Sequence, residues 1–188
     1  MSDTAHVVLL RGVNLGPHRR VGSADLRAAA TDAGLTHART YANSGNLVAV
    51  SARPDADVAG EVSAALEHLT GTAVPAVALA ADDLAALVDD APFPDAARDR
   101  PAQLQLHVGP EPVDEAGLAA LAKRNPGRER FAVARGALFV DYVDGIGRSR
   151  VTTAAVDRAA GTWTTARNWR TVLRLLSMAR ESAGAQRG

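Results

Sequence analysis

Residues 130–142 read Arg-Phe-Ala-Val-Ala-Arg-Gly-Ala-Leu-Phe-Val-Asp-Tyr. Two short apolar runs in this stretch, Arg130–Ala134 and Ala137–Tyr142, are separated by Arg135-Gly136. A two-residue connection that contains glycine is typical of a tight β-hairpin, because glycine adopts the positive φ values that such turns need. The stretch therefore predicts two antiparallel strands that form a hairpin.

A strand and a helix are predicted before this hairpin, and two helices are predicted after it. Gln103–Val108 alternates polar and apolar residues, as a half-buried strand does, and Asp114–Arg124 is a predicted helix that ends at Asn125-Pro126. The predictions after the hairpin are a helix at Ser149–Ala160, an extended segment at Gly161–Thr164, and a last helix capped by Thr165 with Trp169, Val172, Leu173 and Leu176 on one face.

The first half of the chain repeats this order of elements. Pro75 cannot donate a hydrogen bond in a β-ladder, so its strand belongs at a sheet edge. The predicted elements are a strand at Val7–Leu10, a helix capped by Ser23 and stopped by Gly34, strands at Ala38–Tyr41 and Leu47–Val50 around the turn Asn43–Asn46, a helix at Asp55–Thr70 ending at Gly71, a strand at Val74–Leu79, and a short helix at Asp82–Asp89.

Both halves thus follow the order βαββαβ with a trailing helix, and we predict an α+β protein made by tandem duplication of a ferredoxin-like unit. The predicted N-terminal half spans residues 1–92 and the C-terminal half residues 103–182, with a proline-containing connector at 93–102 and a disordered tail at 183–188. One continuous sheet with all helices on one side satisfies the same pattern.

The composition excludes several classes of protein. Of the 188 residues, 47% are hydrophobic and 22% are charged, which is typical of a globular protein. The chain has no cysteine, so disulfides and thiolate chemistry are excluded. The apolar run Val7–Leu10 is too short for a membrane span or a signal peptide, and we expect a cytoplasmic protein without a membrane partner.

The formal net charge is zero, yet the charges are segregated. The segment Asp55–Asp99 contains ten acidic residues and a single arginine, Arg98. The segment Gly145–Arg180 contains seven arginines and a single acidic residue, Asp157. A neutral total disfavours a general nucleic-acid coat, while the segregation permits a local positive pocket. Two ordinary solvated faces that partly attract each other are the other explanation, and the preferred one for most of these charges.

Several segments together resemble the bacterial domain-of-unknown-function family 1697 (DUF1697). They occur along nearly the whole chain: Leu9–Gly16, Leu26-Arg27, Arg39–Tyr41, Ser44–Asn46, Asp144–Ser149 and Thr165–Val172. The resemblance implies a cytoplasmic two-part α+β protein and no established activity. Arg20 and Arg150 stand where that family usually has lysine, and Asn43 where glutamine is frequent, so positive charge rather than lysine chemistry is the expected role of the two arginines.

The same segments predict a binding site for an anion. Guanidinium forks at helix entrances match phosphate or carboxylate oxygens bidentately. The candidate ligand-binding residues are Arg11, Asn14, Arg20, Ser44, Asn46, Arg148, Ser149, Arg150, Arg167 and Asn168. Structural roles compete with this interpretation, because Arg11 can bond loop carbonyls, Ser44–Asn46 suits a tight turn, and Asn168 can cap a helix. Arg148 and Arg167 are expected to leave opposite edges of their sheet and to form two positive clusters.

The functional hypothesis is a pocket for a small phosphorylated or carboxylated ligand. The alternatives are a nucleic-acid binder, which the scarcity of aromatic residues disfavours, and a non-catalytic interaction module. No histidine stands at metal-ligand spacing, so no metal is expected. Asp144 and Tyr41 are the spare acid/base candidates, but no catalytic arrangement, cofactor or oligomeric state follows from the sequence.

Overall fold

The structure is a computed structural model that describes residues 3–13, 21–42 and 45–184. By its internal contacts the chain divides into two units, Met1–Ala85 with Arg174–Gly188, and Ala86–Leu173. Two four-stranded antiparallel sheets and seven α-helices are found in the described residues, which makes the fold a mixed α+β fold.

The first unit holds one sheet and two helices that pack on it. Its elements are β1 (Thr4–Leu10), α1 (Ser23–Asp32), β2 (Thr36–Thr40), β3 (Asn46–Ser51), α2 (Asp55–Thr70) and β4 (Ala76–Ala80), with strand order β2-β3-β1-β4. Val8 of β1 lies opposite Leu47 of β3, and both join Leu26 of α1 and Val62 of α2 in a buried cluster. The apolar stripes of both helices therefore cover one face of the sheet.

The second unit repeats the strand order. Its elements are β5 (Leu104–Val108), α5 (Glu115–Arg124), β6 (Arg130–Ala134), β7 (Ala137–Asp141), α6 (Thr153–Ala160) and β8 (Thr165–Asn168), with strand order β6-β7-β5-β8. Leu118 of α5, Val156 of α6 and Leu138 of β7 share a buried cluster. Gly117 permits the close approach of the two helices, because a Cβ there would overlap the carbonyl oxygen of Ala159.

The remaining helices are α3 (Ala81–Asp89), α4 (Pro94–Asp99) and α7 (Trp169–Gly184). Helix α4 lies inside the segment predicted as a connector, and begins with Pro94 in its first turn, where the missing N–H costs nothing. The division into units passes through α3 and α7 rather than through the connector, and α7 includes the first two residues of the predicted tail. Residues 185–188 of that tail lie outside the described part.

Three predicted helix starts are wrong. Helix α1 begins at Ser23 itself and Gly22 precedes it, with the Gly22 N–H donating to Asp25 over 3.0 Å. Helix α6 begins at Thr153 rather than Ser149, because Thr152 is the cap and accepts from the N–H of Ala155. Thr165 lies in β8 and caps no helix. Asn168 instead accepts from the N–H of Thr171 over 3.0 Å in the first turn of α7.

None of the described helices is both long enough and apolar enough to cross a membrane.

Candidate functional site

A cleft of about 410 Å³ opens in the second unit. Its walls come from the loop between α5 and β6 and from the loop between β7 and α6. The lining residues are Asn125, Pro126, Gly127, Arg128, Glu129, Tyr142, Asp144, Gly145, Arg148, Ser149 and Arg150. Three of the predicted ligand-binding residues, Arg148, Ser149 and Arg150, therefore lie at one cleft.

The loop after β7 is shaped by a turn and a short 3₁₀ helix. The N–H of Gly145 donates to the carbonyl of Tyr142 over 2.7 Å, and Gly145 has a φ of 90°, which favours glycine. The 3₁₀ helix Ile146–Arg148 follows, and Ser149 is extended at φ −71° and ψ 143°. Arg148, Ser149 and Arg150 all line the cleft.

Glu129 fastens the two loops to each other. One of its carboxylate oxygens accepts a short hydrogen bond from the Ser149 hydroxyl, and the other accepts from the Asn125 amide over 2.7 Å. These hydrogen bonds lower the pKa of Glu129 below its ordinary value, with the Ser149 bond as the largest cause. Ser149 also accepts from the N–H of Val151 over 3.0 Å, which holds the extended backbone in place.

The arginines of the cleft differ in what they contact. Arg128 donates to Asp144 over 2.9 Å, and both side chains are exposed. Arg148 and Arg150 are also exposed, and within residues 3–13, 21–42 and 45–184 neither guanidinium has a hydrogen-bond acceptor or an ion-pair partner. The cleft therefore carries positive charge at its rim that its own carboxylates do not neutralise.

The acid/base candidates of the sequence have ordinary surroundings. Asp144 lines the cleft and is the ion-pair partner of Arg128. Tyr41 lies in the first unit, at the end of β2, and donates its N–H to the carbonyl of Asn46 over 3.2 Å. The sequence did not single out Tyr142, whose burial in the cleft wall raises its pKa to about 12. Tyr142 keeps its proton at neutral pH and can donate a hydrogen bond.

Arg167 and Asn168 lie on β8, outside the lining of this cleft. Burial lowers the pKa of Arg167 to about 10, and its guanidinium donates to the Thr165 hydroxyl over 2.9 Å and to the Ala166 carbonyl over 2.8 Å. The expectation that the strand before Arg148 and the strand that holds Arg167 end on opposite sides of the sheet is wrong. Strands β7 and β8 both run antiparallel to β5 between them, so they end on the same side of the sheet.

The remaining candidates belong to the first unit. Arg11 directly follows β1, where its N–H donates to the carbonyl of Pro75 over 2.8 Å. Asn46 is fully buried, and its amide donates to the carbonyl of Tyr41 over 2.9 Å. The N–H of Leu10 donates to the carbonyl of Gly45 over 2.8 Å, so the first apolar run and the hairpin turn meet at one end of the sheet. Asn14, Arg20 and Ser44 lie outside the described residues.

Sequence reasoning missed an ion-pair network at the start of β6. The buried carboxylate of Asp141 accepts from Arg100 over 2.9 and 2.6 Å and from Arg130 over 2.8 Å. Burial alone would raise the pKa of Asp141, but the hydrogen bonds from both arginines outweigh it and hold the pKa below its ordinary value. Asp95 bonds both arginines, and its pKa is lowered to about 2, chiefly by Arg130. Arg130 also lies over the ring of Phe93.

One pair of this network could have been predicted from the sequence, because the register of the hairpin places Arg130 opposite Asp141 across β6 and β7. The described residues contain no group of three or more His, Cys, Asp or Glu side chains that is arranged to hold a metal ion. The arginines of the network are already paired with Asp95 and Asp141. The cleft is therefore the better candidate for binding an anionic ligand, because Arg148 and Arg150 have no such partner among the described residues.

Comparisons with known proteins place the chain in a family. The model of the family described as "Protein of unknown function (DUF1697)" matches residues 4–139. The chain belongs to this family. The match to the DUF1697 model covers the first hairpin and ends within β7, so the loop with Arg148 and Arg150 lies beyond the matched residues.

A solved structure resembles this DUF1697 protein over nearly all of its length. The conserved bacterial protein SP0830 from Streptococcus pneumoniae is 19% identical, with a TM-score of 0.69 over 95% of this chain and 99% of that chain. At this identity the likeness concerns the fold. Comparison with curated proteins gives no significant match.

Proposed function

We propose that the cleft of the second unit binds a small phosphorylated or carboxylated ligand, and that Arg148 and Arg150 hold its anionic group. One observation carries the proposal. Both guanidinium groups line the cleft, are exposed, and have no acceptor among the described residues. An arginine fork binds phosphate or carboxylate oxygens through paired N–H donors, which is the contact that these side chains lack.

The loop that carries the two arginines is held in place before any ligand binds. Ser149 is anchored to Glu129 and to the N–H of Val151, so the backbone between Arg148 and Arg150 has a fixed extended conformation. A preorganised loop loses less conformational entropy on binding than a free one. Arg128 is already paired with Asp144, so the anion is expected at Arg148 and Arg150.

Thermal melting in phosphate and in chloride at equal ionic strength tests the proposal. Phosphate that binds only the folded protein raises the melting temperature, and at a concentration about tenfold above Kd the gain is about 1.4 kcal/mol. The double variant Arg148→Ala with Arg150→Ala is expected to abolish the rise. Arg158→Ala with Arg170→Ala is the matched control, because it removes the same charge at exposed positions outside the cleft lining.

An equal phosphate effect in the control and in the cleft variant would contradict the proposal. Tight binding of an oligonucleotide with a steep salt dependence, and no shift with phosphate, would favour nucleic-acid binding instead. No shift with either probe would leave an interaction module as the alternative. The proposal names no reaction and no cofactor, and the partner it requires is a small molecule.

We also propose that the two units descend from one duplicated ferredoxin-like βαββαβ unit. The repeated strand orders β2-β3-β1-β4 and β6-β7-β5-β8 support this, since in both sheets the first strand lies between the third and the fourth. The likeness to a bacterial protein supports a bacterial setting, and the cytoplasm is the compartment we expect.

A further inference from the structure

Strand β6 is the edge of the second sheet, and its outer rim offers unpaired backbone groups. The turn Arg135-Gly136 has φ values of 49° and 73°, which makes Ala134 and Ala137 the hydrogen-bonded pair that closes the hairpin. Hydrogen-bonded pairs alternate with open pairs along an antiparallel ladder. The N–H and C=O groups of Phe131 and Val133 therefore point away from β7.

No hydrogen bond to these four backbone groups occurs within residues 3–13, 21–42 and 45–184. The other edge strands are less suited to pairing. Strand β2 has a register shift between Thr36 and Arg39 and a positive φ of 53° at His37, and such irregularities protect sheet edges. Strand β4 follows Pro75, and β8 has only four residues. Strand β6 keeps an unbroken register with β7 over all five residues.

We infer that β6 pairs antiparallel with β6 of a second copy of this chain, which joins two sheets into one across a two-fold axis at Ala132. In this register Phe131 faces Val133 of the second copy, and both residues have outward backbone groups. The two symmetric pairs make four new N–H···O=C bonds. A register shifted by one residue would align outward groups with inward ones, so the alternation along β6 excludes it. The register centred on Ala132 is the one that pairs the outward groups of Phe131 with those of Val133 on both sides of the axis.

The side chains along β6 are complementary in the same register. Phe131 and Val133 are half-buried on the helix-covered face, where an aromatic residue opposite a β-branched one is a favourable cross-strand pair. Glu129 and Arg135 lie just outside β6 and already bond Ser149 and Asp90 of their own chain, so the pairing is argued from the strand residues.

The chain has no cysteine, which makes a disulfide test clean. At the axis the two Ala132 residues form an open pair with Cα atoms about 4.5 Å apart, within the span that a disulfide accepts. Ala132→Cys is expected to form a cross-linked dimer under mild oxidation at least about tenfold faster than a control, because pairing raises the effective thiol concentration. Ala64→Cys, at an exposed position of α2, is the control.

A second variant tests the hydrogen bonds. The N–H of Val133 points outward, so Val133→Pro removes a donor of the new ladder and none of the β6–β7 ladder. Sedimentation of the unmodified chain is expected to show a dimer that Val133→Pro converts to a monomer, with an unchanged circular dichroism spectrum. A monomer across about a hundredfold range of concentration, together with equal cross-linking of Ala132→Cys and Ala64→Cys, would overturn the inference. This inference does not depend on the proposed ligand.

Discussion

Replacing Asp141 by alanine is expected to destabilise the second unit by about 1–3 kcal/mol. The side chain of Asp141 is fully buried and accepts three hydrogen bonds from Arg100 and Arg130 at 2.6–2.9 Å. Alanine removes the anion and leaves both guanidinium groups together, with the half-exposed Asp95 as their remaining ion-pair partner in the part of the chain that the structure describes. The loss of Asp141 is costly because three hydrogen bonds to a charged group disappear and two like charges, 26% and 38% exposed, are left side by side.

Urea unfolding followed by tryptophan fluorescence measures this cost in the unit concerned. Both tryptophans, Trp163 and Trp169, lie in the second unit, so the signal reports on that unit. Asp99→Ala is the matched control, because Asp99 is exposed and forms its ion pair with its neighbour Arg98. Exposed ion pairs contribute little to the free energy of unfolding, so the Asp99→Ala variant is expected to keep the urea midpoint of the unmodified protein. An Asp141→Ala variant that loses no more stability than Asp99→Ala would refute the reasoning.

Two further predictions use the same measurement. Trp169 is 3% exposed and its ring centroid lies 6.0 Å from that of Phe139, so Trp169→Ala should cost about 3–5 kcal/mol, and an unchanged midpoint would contradict its role as a core anchor. Burial lowers the pKa of His107 to about 4 from 6.5, so its contribution to stability is complete above pH 6.5 and is lost as pH falls toward 4. Between about pH 7.5 and about pH 5 this amounts to about 2 kcal/mol, and His107→Leu should remove that part of the pH dependence; an equal dependence in the variant would contradict the assignment.

Elements whose ends are set by local backbone chemistry were predicted well from the sequence. Helix α2 spans Asp55–Thr70 as predicted, because Gly71 takes the left-handed conformation, at φ 67°, that ends the helix. The hairpin of β6 and β7 was predicted to within one residue, because Arg135-Gly136 forms its two-residue turn. In these places a few neighbouring residues decide the structure, and they can be read from the chain alone.

Helix starts near hydroxyl residues were predicted poorly, because a serine or threonine hydroxyl has several competing partners. Ser149 was expected to begin a helix, yet its hydroxyl bonds Glu129, which is twenty residues earlier in the chain. Thr165 was expected to cap α7, yet it pairs with Val108 of β5 and extends the sheet. Both outcomes depend on contacts between residues far apart in sequence, and such contacts cannot be predicted from local helix or strand propensity.

The candidate site shows the same limit for charged side chains. Arginines are common in this chain, and the sequence ranked Arg148, Arg150 and Arg167 alike. The fold separates them, because Arg167 donates to Thr165 and Ala166, while Arg148 and Arg150 have no acceptor among the described residues. What distinguishes a binding arginine from a structural one is therefore the set of acceptors around it. Folding brings these acceptors together, so they cannot be predicted from a motif or from the composition. The sequence indicates the loop that contains a binding site, and the hydrogen bonds in the structure show which arginines of that loop can bind a ligand.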